Sequence, residues 1–161
     1  MSLKVGIERY APDPVTGFGS RASLLADLRL ALEPGSDSTT LAIFGLDGFE
    51  EFERVYGTPN ADEVLGRLAK EFAYMIEPAG VCYAPRRREF CALFSRPLHS
   101  VSPILAGAAI ALRREGAMVL ITTAFGVAVL PEQADEAISA LAFADERLEH
   151  ARRLRRATRG E

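Results

Sequence analysis

The chain has 161 residues, of which 48% are hydrophobic and 25% are charged. This length and apolar content are enough for one domain with one filled core, so we expect a single domain over 1–161. The net charge of -3 excludes a general attraction to nucleic acid or to an anionic membrane. The apolar runs are too short to span a bilayer and no signal-peptide region follows Met1, so we expect a cytoplasmic protein without membrane insertion. We interpret residues 1–3 and Glu161 as additions made for expression.

Hydrophobic periodicity alternates along the chain between helix-like and strand-like segments. In chain order it predicts a helix over 22–32, a buried strand over 39–46, helices over 48–55 and 61–76, strands over 81–84 and 90–94, a helix over 102–115, a strand over 118–130 and a last helix that begins near Pro131 and continues through Leu148 into an arginine-rich end. The two short strands are joined by a turn rich in arginine. This order predicts a sheet with helices packed on it.

Two cysteines, Cys82 and Cys91, are too few for a disulfide framework and lack the spacing of metal ligands, so we interpret them as small core residues. If the loop of the arginine turn is Arg86–Arg87, the two thiols face each other across the strands. A redox link between them is then conceivable but disfavoured in a reducing cytosol.

Four patches of sequence motif follow one another in the chain. They are DPVTGF at 13–18 with SR at 20–21, LDGF at 46–49 with YG at 56–57 and ADEVL at 61–65, RRREF at 86–90, and FGVA at 125–128 with AD at 144–145 and AR at 151–152. In this order and spacing the chain resembles the GGDEF (diguanylate cyclase) family, with a core from about 13 to 156. The central RRREF keeps only the last two letters of the family's signature.

The resemblance implies an α+β fold with a central, mainly antiparallel sheet of about five strands flanked by helices, similar to the palm of polymerases and nucleotide cyclases. It also implies a reaction in which two domains face each other, each with bound GTP. Two divalent ions then assist the attack that forms cyclic di-GMP, and such ions need neighbouring carboxylates.

Two positions that carry metal-binding carboxylates in the family hold other residues here. By the resemblance, these positions are Gly45 and Arg88, so the site changes by three charge units. At an effective dielectric constant of about 20, two unit charges about 4 Å apart interact by about 4 kcal/mol. We therefore expect no catalytic residue in the altered signature Arg86-Arg87-Arg88-Glu89-Phe90, no magnesium binding and no other cofactor.

The resemblance also identifies candidate nucleotide-binding residues. Glu53 stands where the family's guanine-reading Asn is found, and Asp62 keeps its partnering Asp. Arg152 and Arg156 correspond to cations that bind phosphate in the last helix. In contrast, Glu50 replaces a Lys beside the phosphate loop, and residues 77–80 lack the charged anchors of the family's feedback site for cyclic di-GMP.

The arginines of the turn have two interpretations. Together with Arg152 and Arg156 they could form a metal-free cluster that holds phosphate. Alternatively, they form a solvated hairpin tip, and the arginines of the last helix favour its C-terminal dipole.

These observations favour a catalytically inactive GGDEF domain that serves as a regulatory, dimerisation or interaction module in bacterial cyclic di-GMP signalling. Its expected partner is a second copy or an adjacent phosphodiesterase or sensor domain, joined at 152–159 if the chain is a fragment. The alternatives are a metal-independent sensor that binds GTP and, least favoured, an active cyclase with unconventional metal ligands. No nucleic acid is expected as a partner.

Overall fold

The computed structural model describes residues 9–115, 118–158 and 160, so residues 1–3, Arg159 and Glu161 of the sequence interpretation lie outside the described residues. Within these ranges the strands form one five-stranded sheet in the order β2-β3-β1-β5-β4, and neighbouring strands pair antiparallel. The strands are β1 Thr39–Asp47, β2 Val81–Arg86, β3 Glu89–Phe94, β4 Arg114–Glu115 and β5 Leu120–Leu130. The helices are α1 Arg21–Ala31, α2 Phe49–Tyr56, α3 Thr58–Ile76, α4 Leu98–Ala111 and α5 Ala137–Thr158. The expected α+β fold is confirmed.

Helices cover both faces of the sheet, because successive strand residues point to opposite faces. On one face, α2, α3 and α4 pack over an aromatic layer that consists of Phe18, Phe44, Phe72 and Phe90. The rings of Phe44 and Phe72 meet edge to face at 5.0 Å between centroids, a favoured geometry for aromatic pairs. On the other face, α1 and α5 pack over an aliphatic layer.

A glycine sets the distance between α5 and the sheet. A Cβ atom at Gly126 would overlap the carbonyl oxygen of Ala144 and the amide nitrogen of Leu148, and would lie 2.8 Å from the carbonyl carbon of Arg147. The backbone of α5 therefore rests directly on β5. This contact brings the C-terminal arginines of α5 over the end of β1.

The entry to α1 is braced by short polar side chains. Asp13 accepts a hydrogen bond at 2.9 Å from the amide of Thr16, and Ser20 caps the helix by accepting one at 3.2 Å from the amide of Ser23. Side-chain acceptors of this kind satisfy amides that have no partner inside the first helical turn. Asp13 and Ser20 therefore brace and cap the start of α1.

Several element bounds differ from the sequence expectation. Helix α3 begins at Thr58 rather than at 61, because Pro59 lies in the first turn, where its missing N–H is not needed. Helix α4 covers Leu98–Ala111 rather than 102–115, because Pro97 is its N-cap and Arg114–Glu115 pair with β5 instead. Strand β5 begins at Leu120, two residues later than expected.

The last helix begins at Ala137 rather than near Pro131. Residues 131–136 form a turn in which Gln133 closes back on β5. The amide of Val129 donates to Oε1 of Gln133 at 2.7 Å, and the amide of Gln133 donates to the carbonyl of Val129 at 2.8 Å. These two bonds hold the chain out of the helical path until 137.

The expected pairing of the cysteines is wrong. The hairpin loop is Arg87–Arg88 rather than Arg86–Arg87, and Arg86 pairs with Glu89. The register shifts between Tyr83 and Arg86, where Pro85 offers no amide to the ladder.

As a result Cys91 stands opposite Tyr83, and Cys82 stands opposite Ala92. Cys82 packs in the aromatic layer and Cys91 in the aliphatic layer, so the thiols lie on opposite faces of the sheet. Both are buried and free, and burial raises the pKa of each thiol.

No helix in the described part of the chain has the length and apolar content needed to cross a bilayer.

Candidate functional site

A cleft of about 640 Å³ opens at one end of the sheet. It lies between the end of β1, the start of α2, the β2–β3 hairpin and the last turns of α5. Its lining contains six arginines and four carboxylates, namely Arg86, Arg87, Arg88, Arg152, Arg155, Arg156, Asp47, Glu50, Glu89 and Glu149, together with Leu46 and Gly48. The candidate site is therefore dominated by ion pairs.

Arg152, which lines this cleft, covers Gly45. A Cβ atom at Gly45 would overlap Nη2 of Arg152 and would lie 2.8 Å from its Cζ. The Arg152 side chain is only 21% exposed. A guanidinium thus fills the space that any larger side chain at 45 would need.

Asp47, two residues further along β1, binds two arginines of α5. Its Oδ1 atom lies 2.8 Å from Nη2 of Arg152, and its Oδ2 atom accepts a hydrogen bond from Nη2 of Arg155. Arg152 also pairs with Glu149. Although burial alone would lower the pKa of Arg152, the hydrogen bond to Glu149 and the attraction of Asp47 raise it. Asp47 is therefore already engaged by two permanent cations.

Arg88 lies on the rim of the cleft and pairs with Glu50 at the start of α2. Both side chains are largely exposed, at 53% and 79%. The backbone of Arg88 is held more firmly, since its carbonyl accepts a hydrogen bond at 2.9 Å from the amide of Leu46. The hairpin tip is thereby tied to β1, with a cation at the third signature position.

Arg87 contacts both candidate base-reading carboxylates. Its Nε and Nη2 atoms donate to the two oxygens of Glu53 at 3.0 and 2.7 Å, and Nη2 also donates to Asp62 at 2.6 Å. Its Cζ atom lies 5.6 Å from the centre of the Phe49 ring. The hydrogen bond from Arg87 lowers the pKa of Glu53, and the bonds to Glu53 and Asp62 raise the pKa of Arg87 above its ordinary value.

Among the remaining signature residues, only Arg86 is loosely held. The Nε atom of Arg86 lies 3.8 Å from Oε1 of Glu89. The Arg86 side chain is 60% exposed, whereas the Glu89 side chain is 13% exposed. Burial raises the pKa of Glu89, and the nearby Asp145 adds to the effect. Phe90 belongs to the aromatic layer and does not reach the cleft.

Arg152 and Arg156 line the same cleft, as their spacing in one helix implies. Sequence reasoning missed Arg155, which also lines the cleft and binds Asp47. The i, i+3, i+4 spacing of Arg152, Arg155 and Arg156 was the signal that could have identified it.

Comparison with known proteins identifies the family. The sequence matches the family model for the diguanylate cyclase GGDEF domain over residues 10–158. The GGDEF domain of FimX from Pseudomonas aeruginosa is 24% identical with a TM-score of 0.77, and the match covers 89% of this chain and 94% of that one. The GGDEF domain of DgcB from Caulobacter crescentus, in complex with c-di-GMP, is 21% identical with a TM-score of 0.76, over 89% and 90% of the chains.

The diguanylate cyclase SiaD from Pseudomonas aeruginosa, in complex with its activator SiaC, is 24% identical with a TM-score of 0.80. This match covers 94% of the present chain and 62% of SiaD. No curated protein matches the sequence. At this level of identity the solved structures establish the fold, while the family model covers nearly the whole chain. The chain belongs to the GGDEF domain family.

Proposed function

We propose that this chain is a catalytically inactive GGDEF domain that acts as a regulatory, dimerisation or interaction module in bacterial cyclic di-GMP signalling. The observation that carries the proposal is the position of Arg152, whose guanidinium fills the space beside Gly45. By the family resemblance, this is where a metal-binding carboxylate would stand. A fixed cation at this place repels a divalent ion instead of attracting it.

The other residues of the site do not fit magnesium either. Mg²⁺ is held by carboxylate and other oxygen ligands, yet Arg88 occupies the second carboxylate position and pairs with Glu50. Asp47 is bound by Arg152 and Arg155. Within the described residues, no group of three His, Cys, Asp or Glu side chains is arranged to hold a metal ion. We therefore propose that the domain works without magnesium.

A domain of this kind would act through contacts with other protein surfaces. SiaD, which shares the fold, is in complex with an activator protein, and this favours a protein partner for the present chain. The partner would be a second copy or an adjacent phosphodiesterase or sensor domain.

The proposal is tested by measuring cyclic di-GMP formation. The protein is incubated with GTP and either Mg²⁺ or Mn²⁺ over a wide range of protein concentrations, so that any dimer is populated, and the nucleotides are separated by chromatography. SiaD serves as the positive control. We expect no product above the blank without protein, whereas product that increases with protein concentration would refute the proposal.

A second candidate function is a metal-independent sensor of GTP or a related nucleotide. It is favoured by the excess of arginine in the cleft, where six arginines face four carboxylates. Within the described residues, the buried Nε atoms of Arg152 and Arg155 have no hydrogen-bond partner. Calorimetric titration with GTP, GDP and cyclic di-GMP, with and without magnesium, tests this function. Heats equal to those of dilution for all three nucleotides would exclude it.

A further inference from the structure

The edge of the sheet along β5 is only partly covered. Strand β4 pairs with β5 at Leu120 and Ile121, and at the other end the turn after β5 bonds to Val129 through Gln133. Between these two contacts, no segment of the described chain pairs with residues 122–128 on the side away from β1. The middle of β5 is therefore an open strand edge.

The hydrogen bonds of Val129 indicate which backbone groups face this edge. Its N–H and its C=O both bond to Gln133, so neither is directed at β1. In an antiparallel strand these groups reverse direction at each successive residue. The N–H and C=O groups of Thr123, Phe125 and Val127 consequently point outward, where an added strand could bond to them.

The opposite edge of the sheet, along β2, is protected. Gly19 donates to the carbonyl of Cys82 at 3.2 Å and accepts from the amide of Ala84 at 2.8 Å, and Pro85 follows with no N–H to offer. Proteins commonly protect edge strands with proline, charged side chains or bulges. Residues 122–128 of β5 read TTAFGVA, with neither proline nor charge, and their register with β1 is unbroken.

A groove of about 510 Å³ lies at the open edge and has two different walls. On the α4 side of the sheet the wall is apolar and consists of Leu98, Phe125, Val127 and Val129. The other wall is one face of α5, where Arg147 and His150 accompany Phe143, Ala151 and Leu154. No carboxylate is among the described residues that line the groove.

The two walls specify the side chains of an added strand, because successive strand residues point to opposite faces. In an antiparallel pair, the residues opposite Phe125 and Val127 would lie on the apolar wall. The residues between them would face Arg147 and His150, neither of which forms an ion pair within the described residues. A strand in which apolar and acidic side chains alternate therefore fits both walls.

A second copy of the chain fits this edge poorly. If β5 paired with β5 of another copy about a twofold axis, the two α5 helices would lie side by side on the same face of the joined sheet. Arg147 of one copy would then approach Arg147 of the other, and like charges repel. Residues 122–128 supply no acidic side chain to offset this repulsion.

We propose that the open edge of β5 binds an extended segment of a partner protein by antiparallel strand addition, and that apolar and acidic residues alternate in this segment. Backbone bonds to Phe125 and Val127 provide affinity, and Arg147 selects the acidic side chains. Among the described residues, the groove shares no lining residue with the arginine-rich cleft. The inference therefore goes beyond the proposed function and does not depend on the loss of activity.

The test follows amide hydrogen exchange of the protein by NMR, with a synthetic peptide in which valine alternates with glutamate as the probe. In the free protein the amides of Phe125 and Val127 should exchange quickly, whereas those of Gly126 and Ala128, which point to β1, should exchange slowly. Saturating peptide should slow exchange at Phe125 and Val127 by at least about ten-fold. Unchanged exchange at both amides with millimolar peptide would overturn the inference.

Two N-methylated forms of the peptide separate strand addition from attraction between charges. In the proposed pairing the valine amides face β5 and the glutamate amides face away from it. Methylation of the valine amides should abolish binding, whereas methylation of the glutamate amides should change the affinity by less than about two-fold. Equal losses for the two forms would contradict strand addition.

Matched protein variants test the charge of the groove. Arg147→Glu should weaken binding of the glutamate peptide by about three-fold or more, because an attraction becomes a repulsion. Arg153→Glu makes the same change at an exposed position of α5 outside the groove, and should change the affinity by less than about two-fold. A peptide with lysine in place of glutamate should bind Arg147→Glu more tightly than the wild type. Equal affinities of the glutamate peptide for all three proteins would refute the selection of acidic residues.

Two further results have distinct meanings. Protection of Phe125 and Val127 that rises with protein concentration in the absence of peptide would show that a second copy pairs with this edge, and would overturn the proposed partner. Cyclic di-GMP formation by the wild type would refute the proposed inactivity and leave this inference unaffected, so the two failures are distinguishable.

Discussion

Replacing Gly126 by alanine should destabilise the protein strongly, although only one methyl group is added. The new Cβ would overlap backbone atoms of Ala144 and Leu148 in α5. Overpacking in a core typically costs about 1–3 kcal/mol, and backbone atoms cannot rotate away as a side chain can. We therefore expect the free energy of unfolding to fall by at least about 3 kcal/mol, which is the upper end of that range.

Gly66 supplies a matched control with the opposite sign. It lies inside α3, and a Cβ there would lie 3.8 Å from the carbonyl oxygen of Val15, which is an ordinary contact. Gly66→Ala should stabilise the protein by about 0.5–1 kcal/mol, because glycine is a poor helix former.

Both variants are compared with the wild type by urea unfolding followed by far-UV circular dichroism, with linear extrapolation to water. A Gly126→Ala protein within about 0.5 kcal/mol of the wild type, which is the range of an uncoupled surface substitution, would refute the close packing of α5 on β5. It would also refute the placement of the α5 arginines that follows from this packing.

Three further predictions concern individual residues. Burial raises the pKa of both Cys82 and Cys91, so a thiol reagent at pH 8 should label neither cysteine in the native protein and both after unfolding. A disulfide between them in protein purified without reductant would contradict the fold. Burial raises the pKa of Glu89 above its ordinary value of 4.5. The stability that protonated Glu89 contributes is therefore present below pH 4.5 and is lost as pH rises through the pKa of Glu89 in the folded protein. Glu89→Gln should reduce this loss of stability, and an unchanged dependence of unfolding free energy on pH would refute the raised pKa. Arg88→Ala should lower the free energy of unfolding, measured with urea, by less than about 1 kcal/mol, because its partner Glu50 is exposed. A larger loss of stability would show that the Arg88–Glu50 pair anchors the hairpin.

Much of the fold could be inferred from sequence because its determinants are local. Short, largely apolar runs predict the buried strands β1 and β3, and the leucine spacing predicts α1. The predicted ends of helices and strands were wrong near prolines, because a proline is compatible with more than one position at the end of an element. Helix α4 was expected over 102–115, whereas it begins at Leu98 after the N-cap Pro97, and Pro85 lies where the hairpin register shifts.

The arrangement of the site could be inferred only in part. The sequence pointed to Arg152 and Asp62 through the family pattern, but the contacts themselves join residues far apart in the chain. Asp47 and Arg155 are separated by 108 positions, and Arg87 and Glu53 by 34. Which of several arginines reaches which carboxylate depends on the packing of α5 and on the hairpin register, neither of which has a local signal.

The central claim is that guanidinium groups of the chain stand where a catalytic domain would hold metal ions. Crystals of the protein soaked with manganese chloride and GTP test it directly, because Mn²⁺ takes the same oxygen ligands as Mg²⁺ and is located by its anomalous scattering. The account predicts no anomalous peak beside Gly45 and Arg88, with Arg152 still paired with Asp47. A peak within coordination distance of Asp47, accompanied by displacement of Arg152, would contradict it.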